Sequence, residues 1–214
     1  MRLKTKIIDD DITREICKRF TIEHNGEIEF QEHNIPENML PENFNIGLIV
    51  GKSGSGKSIL LSEFGKERYY EWGDEKCIAS HFASYDDAEE RLMGAGLGSV
   101  PTWLKPYKIL SNGEKHRADL AMIIKSNTVI DEFVSYVDDN AAMGVANSIQ
   151  KFIRKKDFKN IIFASLNKNL IEYLNPDWVY DADNKTLTVN SEIYDIDSLS
   201  PVKYKKRDYF MRIN

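Results

Sequence analysis

A chain of 214 residues with 42% hydrophobic and 29% charged residues has room for one large domain with a sizeable core, which excludes a disordered segment or a disulfide-stapled miniature. A net charge of −5 argues against broad electrostatic binding to nucleic acid and leaves only a local basic patch open. The two cysteines, Cys17 and Cys77, form no CxxC pair, and thiols so sparse suit a reducing cytoplasm rather than a disulfide framework or zinc site.

In chain order, "MRLKTKIIDDD" meets three aspartates before any apolar stretch, so no signal peptide is expected. Nothing approaches the roughly 18 apolar residues that cross a bilayer, so no membrane role is expected except through a partner. Short strands are expected at 6–12, 18–24 and 27–32, followed by a proline-bearing loop. "IGLIV" (46–50) reads as a buried strand feeding a glycine turn, and 58–72 carries helical spacing. A strand at 76–84, a helix at 85–96 and a proline-punctuated loop at 97–110 come next. Helix, strand, helix, strand and short helix then follow at 113–126, 127–133, 140–156, 160–166 and 169–174, and 178–190 closes the body as a hairpin. Such alternation implies an α/β protein with a mostly parallel sheet covered by helices.

Gly51-Lys52-Ser53-Gly54-Ser55-Gly56-Lys57-Ser58 fits G-x-x-x-x-G-K-[ST] in full and sits between strand and helix, as a phosphate loop requires. Glycines let backbone amides turn inward where a Cβ would obstruct phosphate, and the following helix aims its positive end at the same point. Lys57 is placed to reach the β- and γ-phosphates, and the Ser58 hydroxyl to ligate Mg²⁺, so ATP and Mg²⁺ are the expected cofactors.

Further along, Ser111-Asn112-Gly113 stands just before a helical segment and offers a hydroxyl, free amides and a positive helix end. Alone it would read as an ordinary helix cap. It is followed by "TVIDEF", which sets Asp131 and Glu132 at the end of a short strand. Neighbouring carboxylates there can divide labour between the metal shell and proton removal from water.

In this order the motifs resemble the ATP-binding-cassette (ABC) ATPases: Gly51–Ser58 as Walker A, "LSNGE" as the LSGGQ signature, and "VIDEFVSYVD" as Walker B with its D-loop. The resemblance spans about 15–182 and implies a P-loop NTPase of ABC type, with an N-terminal antiparallel β subdomain and a shortened helical subdomain over about 85–125. It implies one ATPase domain over 1–200, with residues 201–214 as a tail. It further implies that residues 52–57 and Lys57 hold phosphate, that Ser58 and Asp131 serve the metal, and that Glu132 is the general base. Ser111 and Gly113 would contact the γ-phosphate held by a second copy in a head-to-tail homodimer, Asp138 would couple the two sites, and Phe20, or else Phe30, would stack on adenine. "PTWLKPYKILSNGE" and "YLNPDWVYD" look like soluble phage and bacterial members, some fused to or neighbouring a GNAT-type acetyltransferase, which implies an acetyltransferase or DNA-modification partner.

The chain departs from the family pattern at three places. Asn167 stands where a switch histidine is expected, and an amide donates a hydrogen bond but cannot become charged, so slow hydrolysis is expected. No Q-loop glutamine follows 76–84; His81 reads as a packed side chain and Ser84 as a weak substitute. The stretch between Ser84 and Ser111 is too short for the helical subdomain of a transporter motor. The tail, with Lys203, Lys205, Lys206, Arg207 and Arg212 among Tyr204, Tyr209 and Phe210, reads either as a solvated segment packed on the body or as a grip for nucleic acid or an acidic partner. Besides a slow ATPase, a nucleotide-sensing scaffold and a DNA-repair-like ATPase head remain as alternatives.

Overall fold

A computed structural model describes residues 3–30, 34–198 and 200–201, in two compact units, Met1–Asn34 and Ile35–Asn214. The basic tail lies outside the described residues.

The first unit pairs β1 (Leu3–Lys6) antiparallel with β2 (Glu27–Phe30). Between them, part of the stretch read as the second strand, 18–24, belongs instead to α1 (Asp11–Phe20). The Asp10 carboxylate accepts from the Thr13 amide at 2.8 Å and opens that helix, while Lys18 and Arg19 suit its negative end. Ile12, Ile16 and Phe20 recur every four residues, a helical stripe that alternation alone does not reveal.

The second unit is built on a seven-stranded sheet in the order β4-β5-β3-β6-β7-β8-β9. Its parallel centre joins β4 (Thr128–Ile130), β5 (Ile161–Ser165), β3 (Ile46–Val50) and β6 (Trp178–Asp181). An antiparallel extension follows through β7 (Thr186–Val189), β8 (Glu192–Asp195) and β9 (Ser200–Pro201). The β6–β7 hairpin appears where the sequence places it; β8 and β9 were not anticipated.

Alternate residues of the central strands face opposite layers, as the pleat demands. Leu48, Ile130 and Phe163 join one buried cluster with Ala118, Ile149 and Phe152 from the helices on that face. Ile49, Val129 and Ile162 join another with Leu60 and Leu61. The first face is covered by α3 (Tyr85–Gly94), α5 (Asn112–Ile123) and α6 (Asp139–Lys155), and the second by α2 (Lys57–Phe64). Two short helices, α4 (Val100–Trp103) and α7 (Leu170–Leu174), complete the set.

The strand expected at 76–84 is absent; Ile78–His81 form a single 3-10 turn. Ile78 is fully buried and its amide donates to the Lys105 carbonyl at 3.0 Å, so the chain curls inward to bury one residue. Glu67 and Arg68 instead pass the open edge of β4, with the Arg68 guanidinium donating to the Asn127 carbonyl at 3.4 Å. The helix read over 58–72 correspondingly stops at Phe64.

At Gly47 a Cβ would lie 2.2 Å from the Trp178 ring, which is itself fully buried. Gly47→Ala is therefore expected to destabilise by about 2–3 kcal/mol through overpacking. Urea denaturation checks it: the midpoint should fall with the m-value unchanged.

Candidate nucleotide site

The parallel register sets the site. Val50 pairs with both Ser165 and Asp181, and Ile130 pairs with Phe163, so the carboxyl ends of four strands lie nearly level along one edge. Each end leads into a polar loop, the position where open α/β sheets hold ligands.

From β3 the chain turns through Gly51–Gly56 into α2. Gly54 and Gly56 have φ of 77° and 84°, backbone that side-chain-bearing residues avoid. A Cβ on Gly54 would meet nothing within 4 Å, so the loop stands open there. The Ser55 hydroxyl is buried without a hydrogen-bond partner, a polar group awaiting one. Lys57 is buried, and its ammonium donates to the Lys52 carbonyl at 2.7 Å, across the loop. Burial pushes its pKa down; Asp131, Asp183 and Glu132 pull it back up without cancelling that effect.

Beyond β4 the backbone kinks at Glu132 and Val134, with φ of 47° and 58°. Glu132 is exposed; its amide donates to Asp131 Oδ1 at 2.8 Å, and one of its carboxylate oxygens accepts from the Tyr136 hydroxyl at 3.1 Å. Asp131 and Glu132 also wall an open cleft of about 590 Å³, shared with Glu67, Trp72, Asp119 and Tyr136. The buried Ser165 hydroxyl, donating to the Phe133 carbonyl at 3.1 Å and accepting from the Asn167 amide at 3.3 Å, ties this loop to the one after β5. There the Asn167 side-chain amide donates to Asp139 Oδ1 at 3.0 Å, which engages one of its two N–H groups.

Ser111 is exposed at the start of α5, and its hydroxyl accepts from the Glu114 amide at 3.3 Å while Glu114 Oε2 accepts from the Ser111 amide at 2.8 Å. This capping box explains the glutamate in "LSNGE". A Cβ on Gly113 would press against Val137 at 3.1 Å, so a glycine lets α5 approach the loop after Glu132. Asp138 is exposed and caps α6, its carboxylate accepting from the Ala141 amide at 3.0 Å. Phe20 is exposed at the end of α1, in the other unit, and Phe30 ends β2. Ser84 caps α3, and His81 packs against Trp72 with its Nδ1 bonded to the Tyr70 hydroxyl at 3.1 Å, so the structure gives neither residue a place in the site.

Charged residues that the motifs did not announce also converge here. Glu67 Oε1 accepts from the Asp131 amide at 2.7 Å, and Asp183 Oδ1 accepts from the Lys52 amide at 2.9 Å. Lys168 pairs with Asp181 and Asp183 at 2.8 and 3.2 Å. Glu67 lies on a loop with no recognisable pattern, and Asp183-Asn184-Lys185 marks a hairpin turn without announcing the contact of Asp183 with the phosphate loop. Among the described residues no three His, Cys, Asp or Glu side chains are arranged to hold a metal ion. Magnesium fits such a site only with phosphate oxygens completing its shell, the usual way it is held.

No family model and no curated protein matches the sequence. Solved structures do match. A dimeric post-hydrolysis state of the ATP-binding cassette MJ0796 bound to ADP and Pi superimposes with a TM-score of 0.52 and 14% identity, over 75% of this chain and 89% of that one. A second dimeric structure of MJ0796, described as a bacterial ABC transporter cassette, gives 0.51 and 14%, over 74% and 88%. The chain therefore has the fold of an ABC-type P-loop ATPase. No helix among the described residues is long and apolar enough to cross a membrane.

His116 supports the loop after Glu132, its Nε2 accepting from the Val134 amide at 3.3 Å. Burial, with a smaller effect from Arg117, lowers its pKa from 6.5 to about 4. The unfolded chain thus takes up this proton before the folded one. Its contribution to stability is complete above about pH 6.5 and is lost as pH falls toward 4, by about 2–3 kcal/mol. Urea midpoints at pH 7 and 4.5 should show a smaller acid loss for His116→Gln, which keeps an acceptor but cannot titrate.

Proposed function

We propose that the chain is an ATP hydrolase of ATP-binding-cassette type that closes head to tail around two Mg-ATP molecules. The observation that carries this reading is the sharing of one sheet edge by the Lys57 loop and the Asp131–Glu132 pair, with the Ser111 turn left exposed. The likeness to dimeric cassettes, one bound to ADP and Pi, supports it.

In this reading the amides of residues 52–57 and the Lys57 ammonium hold the β- and γ-phosphates, with the buried Ser55 hydroxyl able to donate to one of them. Magnesium, when bound, neutralises charge shared between the β- and γ-phosphates. Ser58 and Asp131 hold it, and Glu132 takes the proton from the attacking water. Ser111 and Gly113 of a second copy meet the γ-phosphate, and Asp138 passes closure to the other site. Asn167 donates its remaining N–H to the γ-phosphate and carries no charge, so hydrolysis is slow and the closed dimer long-lived.

Residues 1–200 serve as one ATPase domain whose closure controls a partner protein. The resemblance to soluble phage and bacterial members points to an acetyltransferase or a DNA-modification enzyme as that partner. A second reading, a nucleotide-sensing scaffold that barely turns over, is favoured by the engagement of Asn167 with Asp139.

Glu132→Gln should cut ATP turnover by at least about 100-fold, the loss expected on removing a general base. Light scattering on that variant should show a dimer with Mg-ATP and a monomer without it; a monomer in both would sink the sandwich. Ser111→Asp retains a good helix cap while adding a negative charge toward phosphate. It should leave nucleotide binding intact and abolish the dimer. Turnover unchanged in Glu132→Gln would favour the sensing scaffold.

A further inference from the structure

The turn between β6 and β7 makes a second, unassigned contribution to the phosphate loop. Asp181 organises it: one carboxylate oxygen accepts from the amides of Asp183 and Asn184 at 3.0 and 3.3 Å, and the other from the Asn184 side chain at 2.7 Å. The turn so shaped presents Asp183, whose Oδ1 accepts from the Lys52 amide at 2.9 Å. Lys52 is held at both ends of its backbone, since its carbonyl accepts from the Lys57 ammonium at 2.7 Å. Lys168, in the loop after β5, reaches both Asp181 at 2.8 Å and Asp183 at 3.2 Å. All three of these side chains are largely shielded, with 24%, 19% and 18% of their surface exposed for Lys168, Asp181 and Asp183. Burial works against the Lys168 charge, yet the two carboxylates hold its pKa above the ordinary value. Burial likewise opposes the Asp183 charge, and the Lys52 amide and Lys168 keep its pKa below the usual range.

Two carboxylates beside a seat for a polyanion would repel it unless compensated. Lys168 supplies the compensation and fixes the geometry. We propose that Lys168 is a positioning residue for nucleotide binding: it holds Asp183 on the Lys52 amide, and so sets the Lys57 ammonium while offsetting one of the two negative charges beside the phosphate loop. The inference rests on the reading of this loop as an ATP site. It links the loop after β5 to the phosphate loop through one lysine, next in sequence to Asn167.

The experiment is a fluorescence titration with Mg-ATP bearing a reporter on its ribose, on the full chain and on variants whose folding is checked by thermal melting. Wild type should bind. Lys168→Met should weaken binding about tenfold, and Lys168→Arg should restore it to within about threefold. Asp183→Asn keeps an acceptor for the Lys52 amide and removes a charge, so adding it to Lys168→Met should recover most of the loss. A merely structural role for Lys168 predicts the opposite, a double variant no better than the single one. Failure of wild type to bind would sink the ATP reading itself, and this inference with it. Binding by wild type with Lys168→Met unaffected, or with no recovery in the double variant, would overturn this inference alone.

Discussion

The parallel pairing of β4, β5, β3 and β6 is the constraint on which the rest depends. Parallel strands all finish at the same side of the sheet, so loops far apart in sequence are delivered together without contacts of their own to gather them. Val50 lies level with Ser165 and with Asp181, and the residues that follow these three become the phosphate loop, the Asn167–Lys168 loop and the Asp183 turn. A one-residue slip of β5 would turn Phe163 and Ile161 out of one core layer and into the other. The hydrophobic layers therefore enforce the alignment of polar groups at the strand ends, and the site inherits its precision from the core.

That delivery is reinforced by polar ties between loops. Ser165 bridges the loops after β4 and β5, Asn167 reaches Asp139 at the start of α6, and Lys168 reaches the turn after β6. Each tie is short, and those made by Ser165 and Lys168 are at least partly shielded from water, where a hydrogen bond or ion pair is electrostatically stronger than at the open surface. Strained backbone at Glu132 and Val134 is tolerated because this framework surrounds it: the Phe133 amide donates to the Ala164 carbonyl at 2.9 Å, and His116 receives the Val134 amide.

The sequence made the centre legible because its signals there are strong and local. Short, largely apolar runs at 46–50 and 161–165 are too short for buried helices and are bounded by turn residues, so both read as strands. The cap at Ser111 marked the start of α5, while α6 was read from the helical spacing of its own residues. Where signals were mixed the reading failed. The stretch 18–24 mixes charged and β-favouring residues, and the capping by Asp10 that makes its first part helical lies well upstream. At 76–84 only Ile78 is fully buried, and a lone anchor leaves the backbone free to curl. In the candidate site, motif glycines, Lys57, Asp131 and Glu132 were readable as candidates because the patterns they match have a fixed spacing. Glu67 and Asp183 were not, because each acts on a backbone amide, at Asp131 and at Lys52, that any residue type would offer.

This difference separates two kinds of functional residue. Residues that would touch the phosphates must satisfy the ligand's geometry, and the ligand is the same in every protein that binds it, so their pattern recurs. Residues that hold those groups in place need only satisfy the local fold, and many arrangements serve. Here a carboxylate on the Lys52 amide and another on the Asp131 amide brace the two halves of the site from opposite flanks, each with its own companion: Lys168 for Asp183, and for Glu67 the Tyr69 hydroxyl at 2.8 Å. The companions differ in kind for a physical reason. Asp183 is shielded beside the Gly51–Ser58 loop, where little water screens its charge, and a cation is the companion that offsets it. Tyr69 is exposed, and on that flank a neutral hydroxyl is enough to orient the carboxylate while water screens its charge.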